Sequence, residues 1–453
     1  MKANIPHTVL FFEKSPFMSV ELLDTLKDHF QVYSYLQDPA FELLKKSNYR
    51  IHSYGNTTLT QSIDSDIAVN VMLSDREYIK SIVGKYPEEY GAMFFYMSKE
   101  MSKSLLATGI PLDLPNYSIQ EKLGNKINLN EIGNKLNITV NNSIHFDLSK
   151  KEGDLNFFGL RTKQFGLPFI IQGELGVSGE DTFLIHSLEE LISKIGNKRG
   201  KYKANRYIKT NYPISVHCCI TEQNDYIEGP FLQIIGFPEL ASNSFQFSGN
   251  DTSQDLLSTE VVRNANDATK KVLKYARNLG YRGILGIDFL WDRVTNKVYL
   301  QEINSRLVGL TRLLTGIQKA QGITPHLIHH INQFNKLPNI HEVDKKISLD
   351  GHNYSQIYIA HTGLDEVTIK RQIIPGIYSI NNGRLNYVSS SLFIRTLGLN
   401  EILINFAAYL GSVVHANQMI AKIVIKDTAL SKNSYILSDK TKEIVRILKS
   451  EML

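Results

Sequence analysis

The chain is poor in cysteine. It has two in 453 residues, Cys218 and Cys219, and they are neighbours. Adjacent residues on a strand point to opposite faces, so these thiols cannot easily pair with each other. This excludes a disulfide framework, and no spacing typical of a zinc site is present. We expect both cysteines to be buried structural thiols.

Long apolar runs and a strong charge imbalance are also missing. The opening stretch MKANIPHTVLFF is too short for a signal peptide. The stretch Ile402 to Ile425 is apolar but carries five polar interruptions, which favours buried core over a membrane span. The interruptions are Asn405, His415, Asn417, Gln418 and Lys422. We therefore expect a cytoplasmic protein without a membrane contact. The net charge of +5 suits an anionic small ligand and argues against a nucleic-acid partner.

The remaining composition is that of a globular protein, with 42% hydrophobic and 21% charged residues. The length allows about two to four domains. Up to about residue 120, strand and helix signals alternate, which favours an open parallel α/β domain over residues 1–120. Thr8 to Phe12, Ile67 to Leu73 and Met93 to Met97 are predicted strands, and Ser19 is a predicted helix cap. This part lacks a GxGxxG turn, so nucleotide binding is not expected there.

The strongest pattern lies between Gly283 and Gly309. Two apolar runs, Ile284 to Trp291 and Val298 to Ile303, flank the polar segment Asp292 to Lys297, which predicts a β-hairpin. Val298, Leu300, Glu302 and Asn304 are expected to share a face by the period-two rule. With the turn centred near Thr295, Asp288 lies opposite Glu302, and Asn304 and Arg306 follow close by.

Two facing carboxylates repel each other unless a positive charge neutralises them. A hard divalent cation such as Mg²⁺ does this, because it prefers carboxylate oxygens together with ligand phosphates. Arg306 would then be a fixed positive group for developing charge. From spacing alone, an ordinary half-exposed strand pair with scattered charges stays an open alternative.

The string D-(x13)-E-x-N-x-R resembles the metal-binding signature of the ATP-grasp superfamily. The resemblance implies that Asp288, Glu302 and Asn304 hold two Mg²⁺ ions against ATP, with Mn²⁺ as an alternative metal. It implies that Arg306 stabilises the transferring phosphoryl group. The implied fold class combines α/β and α+β domains: an N-terminal open parallel α/β domain, the ATP-grasp domain over residues 121–340, and a C-terminal β-rich domain over residues 350–453.

A glycine-rich segment, FGLPFIIQGELGVSGEDTFLI, precedes this hairpin in the order that the ATP-grasp superfamily has. A strand from Pro168 to Gln172 and a strand from Thr182 to Ile185 flank a loop. Glycines let backbone N–H groups approach phosphates, and a hydroxyl adds a donor, although any tight hairpin also needs glycine. The loop residues expected at the nucleotide are Gly176, Ser178 and Gly179.

The resemblance implies further nucleotide contacts. Lys126 would bind a phosphate, and Arg206, Tyr207 and Ile208 would form the adenine hinge. Gln172 stands where the family usually has lysine; glutamine still donates and accepts hydrogen bonds but brings no charge. The acids usual at Asn205 and near residue 213 are missing, so ribose contacts stay unassigned.

The histidines are expected to be structural. His217 lies on an apolar strand and is predicted to be a satisfied core residue. His326 and His330 have the spacing of a helical metal pair, but no carboxylate separates them, so a polar helix face is favoured. Toward the C-terminus, Glu401 to Tyr409 is predicted to be a helix, and so is the amphipathic segment Lys440 to Met452.

The resemblance implies an ADP-forming carboxylate–amine ligase. ATP would phosphorylate a carboxylate, and an amine would attack the acyl phosphate. The expected substrates are amino acids or a short peptide, and Gln172 favours a peptide or natural-product ligase over a biotin carboxylase. Two alternatives stay open: a nucleotide-binding regulatory protein, and a ligase that loads an amino acid onto a carrier protein's thiol. A homodimer is compatible with this interpretation.

Overall fold

The structure is a computed structural model, and it describes residues 7–55, 64–86, 89–149, 159, 162–174, 179, 181–209, 211–334, 343–348 and 353–453. No helix within these ranges is long and apolar enough to cross a membrane. Cys218 and Cys219 are both free and buried, as the sequence predicts.

The first sheet has four parallel strands in the order β3-β2-β1-β4. Its strands are β1 (Thr8–Glu13), β2 (Phe30–Ser34), β3 (Ile51–Ser53) and β4 (Tyr90–Phe94). The helices around it are α1 (Leu23–Leu26), α2 (Pro39–Lys46), α3 (Ser65–Ser74), α4 (Arg76–Val83) and α5 (Lys99–Thr108). Parallel strands joined by helices bury both faces of a sheet. The open parallel α/β domain expected at the N-terminus is confirmed.

Two local predictions in this domain are wrong. Ile67 to Leu73 is part of helix α3 and not a strand. Its buried residues are Ala68, Val69, Met72 and Leu73, at helical spacing, while Ile67 is half exposed. Ser19 caps no helix with its side chain, because its hydroxyl donates to the buried carboxylate of Glu13.

Two helices, α6 (Tyr117–Gly124) and α7 (Leu129–Leu136), lead to a small antiparallel sheet in the order β5-β8-β6-β7. Its strands are β5 (Ser143–Asp147), β6 (Phe169–Gly173), β7 (Thr182–Ile185) and β8 (Lys201–Arg206). Helix α8 (Leu188–Ile195) buries Leu191 and Ile195 in the core of this sheet. The two predicted strands that flank the glycine-rich loop correspond to β6 and β7.

A ten-stranded sheet forms the largest part of the molecule, in the order β13-β12-β9-β10-β11-β14-β20-β18-β16-β17. Its strands are β9 (Asn211–Ile220), β10 (Asp225–Ile235), β11 (Phe247–Asp251), β12 (Gly283–Asp292), β13 (Lys297–Asn304), β14 (Ser355–Ala360), β16 (Gly376–Asn381), β17 (Arg384–Ser389), β18 (Glu401–Ala407) and β20 (Met419–Ile425). Short pairs complete the β-structure: β15 (Val367–Thr368) with β19 (Val413–Val414), and β21 (Leu430–Ser431) with β22 (Ser434–Leu437). The sheet is continuous through the β11–β14 pairing, so strands from before and after the predicted boundary at residues 340–350 share one sheet. The boundary itself stays a prediction.

The helices of this part are α9 (Thr259–Asn278), α10 (Gly309–Ala320), α11 (His326–Asn332) and α12 (Asp439–Met452). The predicted helix from Glu401 to Tyr409 is wrong, because Glu401–Ala407 form strand β18. Ile402, Leu403 and Ile404 are all buried. A strand buried on both faces has an unbroken apolar run that lacks the alternation of a half-exposed strand.

The histidines fill buried positions behind the β12–β13 hairpin. His217 is a satisfied core residue, as predicted, because its Nε2 lies 3.1 Å from the Thr311 hydroxyl and its Nδ1 lies 3.1 Å from Nδ1 of His326. The polar helix face predicted for His326 and His330 is wrong, since both are buried. His330 accepts the Ile284 amide at 2.9 Å, so this ring fixes the start of the hairpin.

The N-cap of helix α9 offers a test of how much one capping hydrogen bond contributes to the stability of the fold. The Ser258 hydroxyl accepts the Val261 amide at 3.3 Å. Replacing Ser258 with Ala leaves that amide without its partner, so we expect the free energy of unfolding to fall by about 1 kcal/mol. Urea denaturation measures this. Lys270→Ala, on the exposed side of α9, is the control and should change stability by less than about 0.5 kcal/mol. Equal stability of the Ser258 variant and the native chain would contradict the prediction.

Candidate active site

The β12–β13 hairpin brings two carboxylates together. Asp288 is paired with Glu302, and Gly286 with Asn304, in antiparallel register. The turn lies between Asp292 and Lys297, where the sequence predicts it. The structure therefore confirms the prediction that Asp288 lies opposite Glu302.

A β-bulge makes this register possible. Asp288 pairs with Glu302, but the next residue, Phe289, pairs with Leu300, so Gln301 is the extra residue. The strict alternation expected along β13 is wrong, because Leu300 is buried in the main core and does not share a face with Glu302. Gln301 and Glu302 both line the same cavity. Gln301 is thus a site residue that sequence periodicity missed, since no residue type marks a bulge of this kind.

Hydrogen bonds order the polar groups along the hairpin. The Asn304 amide donates to Asp288 Oδ2 at 2.8 Å, and Arg306 Nη2 donates to Asn304 Oδ1 at 2.9 Å. The Arg306 guanidinium lies 5.4 Å from the ring centre of Phe95 and 5.7 Å from that of Tyr96. These rings follow β4 of the N-terminal domain and support the guanidinium by cation–π attraction. Arg306 is therefore held in place from two domains.

Lys126 reaches the same carboxylates from a different element. It begins a 3-10 turn after α6, at which the Asn125 side chain accepts the Ile127 amide. Its ammonium is buried and lies 3.5 Å from Glu302 Oε1. Lys126 and Glu302, which the sequence assigns to one site, therefore form an ion pair.

The electrostatics of Asp288 and Glu302 favour the binding of a further positive charge beside these two carboxylates. Burial and, to a smaller extent, the negative charge of Glu302 raise the pKa of Asp288 to about 6. Hydrogen bonds from Ser215 and Gln233 and the charge of Arg306 act in the opposite direction. A cation placed between the carboxylates would favour their charged forms and so lower this pKa.

The donor set fits Mg²⁺. Two carboxylates and an amide provide hard oxygen ligands, and an octahedral Mg²⁺ takes its remaining ligands from water or phosphate. Within the described ranges, no group of three or more His, Cys, Asp or Glu side chains is arranged to hold a metal by itself. The site therefore suits a metal that arrives with a phosphate ligand and does not suit an all-protein cage.

A cavity of about 1150 Å³ extends from the hairpin to the small sheet on one side and to the N-terminal domain on the other. Predicted site residues on its wall are Lys126, Gln172, Gly179, Arg206, Tyr207, Ile208, Asp288, Glu302, Asn304 and Arg306. The described residues predicted for the site are thus on one surface. Gly176 and Ser178 lie outside the described residues.

Gln172 is tied to the hairpin. Its Oε1 accepts a hydrogen bond of 3.0 Å from Gln301 Nε2, and its Nε2 lies 3.4 Å from the Thr182 hydroxyl. The strand end that the sequence places near the phosphates is therefore linked directly to the carboxylate hairpin through the bulge residue.

Gly179 shows why the loop needs glycine. Its φ is +84°, and a Cβ at this position would lie 2.0 Å from the carbonyl oxygen of Phe245. No other residue type fits both conditions. Gly179 is therefore seated against the segment that precedes β11, and both Gly179 and Phe245 line the cavity.

The predicted adenine hinge follows β8. The carbonyl of Arg206 accepts the Asn141 side-chain amide at 2.8 Å, and the carbonyl of Ile208 accepts the side-chain amide of Asn211. Both carbonyls already have protein donors in this structure. The hinge residues are at the cavity, but their role toward a base stays a prediction.

A second buried lysine, Lys203, is another charged group that sequence reasoning missed. It is 3% exposed. Burial, together with the neighbouring charge of Lys126, lowers its pKa to about 7, and the charge of Glu302 acts in the opposite direction. Its signal in the sequence is weak, since it lies on a strand that also carries Lys201 and Arg206, and a lysine in such a polar segment is ordinarily a solvated residue.

Comparisons with known proteins identify the fold. No family model matches the chain, and no curated protein matches it. Among solved structures, the biotin carboxylase domain of 2-oxoglutarate carboxylase from Hydrogenobacter thermophilus, in complex with MgADP, ADP and bicarbonate, matches with a TM-score of 0.63. The sequences are 14% identical, and the match covers 94% of this chain and 87% of that domain.

Two further structures show the same likeness. Biotin carboxylase from Campylobacter jejuni, as a beta-gamma-ATP complex, has a TM-score of 0.61 at 14% identity, covering 98% of this chain and 91% of its own. N5-carboxyaminoimidazole synthase from Aspergillus clavatus, with ADP and 5-aminoimidazole ribonucleotide, has a TM-score of 0.58 at 12% identity, covering 99% of each chain. The chain therefore has the ATP-grasp fold, and the fold expected from the hairpin motif is confirmed.

Glu302→Gln tests the metal assignment directly. The change keeps the side-chain shape but removes one of the two facing charges, so we expect Mn²⁺ binding to weaken by at least about tenfold. Calorimetric titration with Mn²⁺, in the presence of a nucleotide, measures it. Glu222→Gln, at an exposed position, is the matched control and should bind the metal as the native protein does. Unchanged Mn²⁺ affinity in the Glu302 variant would remove the hairpin from consideration as a metal site.

Proposed function

We propose that this protein is an ADP-forming ligase that uses ATP and Mg²⁺ to activate a carboxylate for attack by an amine. The observation that carries the proposal is the pairing of Asp288 with Glu302, with Asn304 and Arg306 hydrogen-bonded in sequence beside them. The fold supports it, because structures with this fold hold ADP or ATP in the cases above.

The chemistry has two steps. A carboxylate oxygen of the acid substrate attacks the γ-phosphorus of ATP, the bond to the β,γ-bridging oxygen breaks, and ADP leaves. The amine nitrogen then attacks the carbonyl carbon of the acyl phosphate, inorganic phosphate leaves, and the nitrogen loses a proton. The products are an amide, ADP and phosphate.

Each charged residue has a distinct part in this scheme. Arg306, fixed by Asn304 and by the rings of Phe95 and Tyr96, is placed to stabilise charge on the transferring phosphoryl group. Lys126 supplies a second positive charge on the Glu302 side. Bound Mg²⁺ would neutralise the carboxylates and the phosphate oxygens and orient the phosphoryl group for in-line transfer.

The size and charge of the cavity support amino acids or a short peptide as substrates. A volume of about 1150 Å³ exceeds that of most single-ligand pockets, about 300–1,000 Å³, so a nucleotide leaves room for a second molecule. Away from the small sheet the wall includes Lys14 of the N-terminal domain and Lys422 of β20. These cations suit a substrate carboxylate.

A second candidate is carboxylation, with bicarbonate as the acid. The Hydrogenobacter domain, which shares this fold, holds bicarbonate in its complex. That domain is also a dimer, and we propose a homodimer for this chain, which light scattering on the purified protein tests.

A substrate panel separates these functions. The purified protein is incubated with ATP, Mg²⁺ and pairs of amino acids, dipeptides or bicarbonate with amines, and phosphate release and product mass are measured. Amine-dependent phosphate release with an amide product supports the ligase. Release that requires bicarbonate supports carboxylation, and acylation of an added carrier protein's thiol supports the loading reaction. Nucleotide binding without release under every condition would instead support a regulatory protein.

Arg306→Met tests the transition-state role. The variant keeps much of the apolar contact with Phe95 and Tyr96 but has no charge, so we expect kcat to fall by roughly 100- to 1,000-fold. Mn²⁺ affinity should stay near that of the native protein, because Arg306 is not a proposed ligand. Loss of metal affinity equal to the loss of kcat would contradict a role confined to the transferring group.

Gln172→Ala tests the strand end at the small sheet. Removing the amide takes away the hydrogen-bonding group that the proposal places at the nucleotide, so we expect ATP to bind several-fold more weakly, in line with about 1 kcal/mol for one hydrogen bond. Fluorescence titration with an ATP analogue measures it, and Gln254→Ala, away from the cavity wall, is the control. Unchanged affinity in the Gln172 variant would show that this strand end does not contact the nucleotide.

A further inference from the structure

Lys203 lies directly across from Gln172. Strands β6 and β8 are antiparallel, and their register pairs Gln172 with Lys203 and Ile170 with Asn205. Paired residues of antiparallel strands project from the same face. Gln172, Ile170 and Asn205 all line the cavity, so the Lys203 side chain projects on the cavity face.

The residues between them confirm which face this is. Ile171 of β6 pairs with Ala204 of β8, and both are buried in the core of the small sheet, against Leu191 and Ile195 of α8. The two faces of β8 therefore differ in kind. One is apolar and packed on a helix, and the other carries Lys203, which is buried, together with Asn205, which lines the cavity.

The charges around Lys203 are unbalanced. The charged groups that act on it are Lys126 and Glu302, and Lys126 already lies 3.5 Å from a Glu302 oxygen. Lys203 makes no ion pair with any residue in the described ranges. The charge of one carboxylate thus acts on two buried lysines, and keeping both of them charged is costly unless a further anion enters the cavity.

We propose that Lys203 binds a phosphate group of ATP, and so supplies from β8 the positive charge that Gln172 does not bring from β6. This inference rests on the nucleotide site of the proposed function, but it concerns the phosphate contact and not the ligation. A triphosphate beside Lys126 and Lys203 would give the second ammonium its anion, while Glu302 stays available to the metal.

Lys203→Met is the first test, because methionine has similar length and no charge. Affinities for Mg²⁺ with AMP-PNP, a non-hydrolysable ATP analogue, and for adenosine, which has no phosphate, are measured by calorimetry. We expect AMP-PNP to bind roughly 10- to 100-fold more weakly, the range for hydrogen bonds to charged groups, with adenosine affinity unchanged. Lys270→Met, on the exposed side of α9, is the matched control and should leave both affinities unchanged.

A charge swap is the second test. In the double variant Lys203→Gln with Gln172→Lys, the ammonium moves to the facing position, and we expect AMP-PNP affinity to recover to within a few-fold of the native value. A merely structural lysine would not be rescued in this way, and equal losses for AMP-PNP and adenosine in the Lys203→Met variant would overturn the inference. So would unchanged AMP-PNP affinity in that variant, or failure of the swap.

The result of the Lys203 tests can be distinguished from the result of the tests of the ligase proposal. A phosphate-specific loss in a protein that forms no amide in the substrate panel would support Lys203 as a phosphate ligand and reject the ligase. A ligase with normal AMP-PNP affinity in the Lys203 variant would support the proposed function and reject this inference.

Discussion

Repulsion between Asp288 and Glu302 is the constraint around which the site is arranged. Like charges directly opposite on neighbouring strands destabilise a sheet. Here the Asn304 amide donates to one carboxylate, and the Lys126 ammonium lies close to the other. Even so, the pKa of Asp288 stays raised to about 6. The protein tolerates this cost in a place where a metal ion with its phosphate ligand would remove it. Perturbed pKa values of this kind are common at functional sites.

Three parts of the chain hold the charged groups around Asp288 and Glu302 in position. The ten-stranded sheet holds the hairpin, the N-terminal domain holds Arg306 through Phe95 and Tyr96, and the turn after α6 supplies Lys126. The small sheet adds Gln172, which is bonded to the bulge residue of the hairpin. A change of position in any of these elements would alter the potential at the carboxylates.

Much of the fold and part of the site could be predicted from the sequence. The hairpin was predictable because its apolar runs and polar turn are local and its period is two. Strands β6 and β7 and the C-terminal helix α12 were predictable for similar reasons. Helix α3 and strand β18 were not, because a short apolar run has no period that distinguishes a buried helix from a strand packed on both faces. The bulge at Gln301 was also hidden, since it depends on the pairing between two strands.

The sequence by itself determined which charged groups exist and that Asp288, Glu302, Asn304 and Arg306 belong to one hairpin, because these relations are set by spacing along a few residues. Tertiary structure alone decided that Lys126 pairs with Glu302, that Lys203 is buried opposite Gln172, and that Gln172 meets Gln301. Those contacts join elements far apart in the chain, and their distances depend on how the sheets pack. Local periodicity carries no information about that packing.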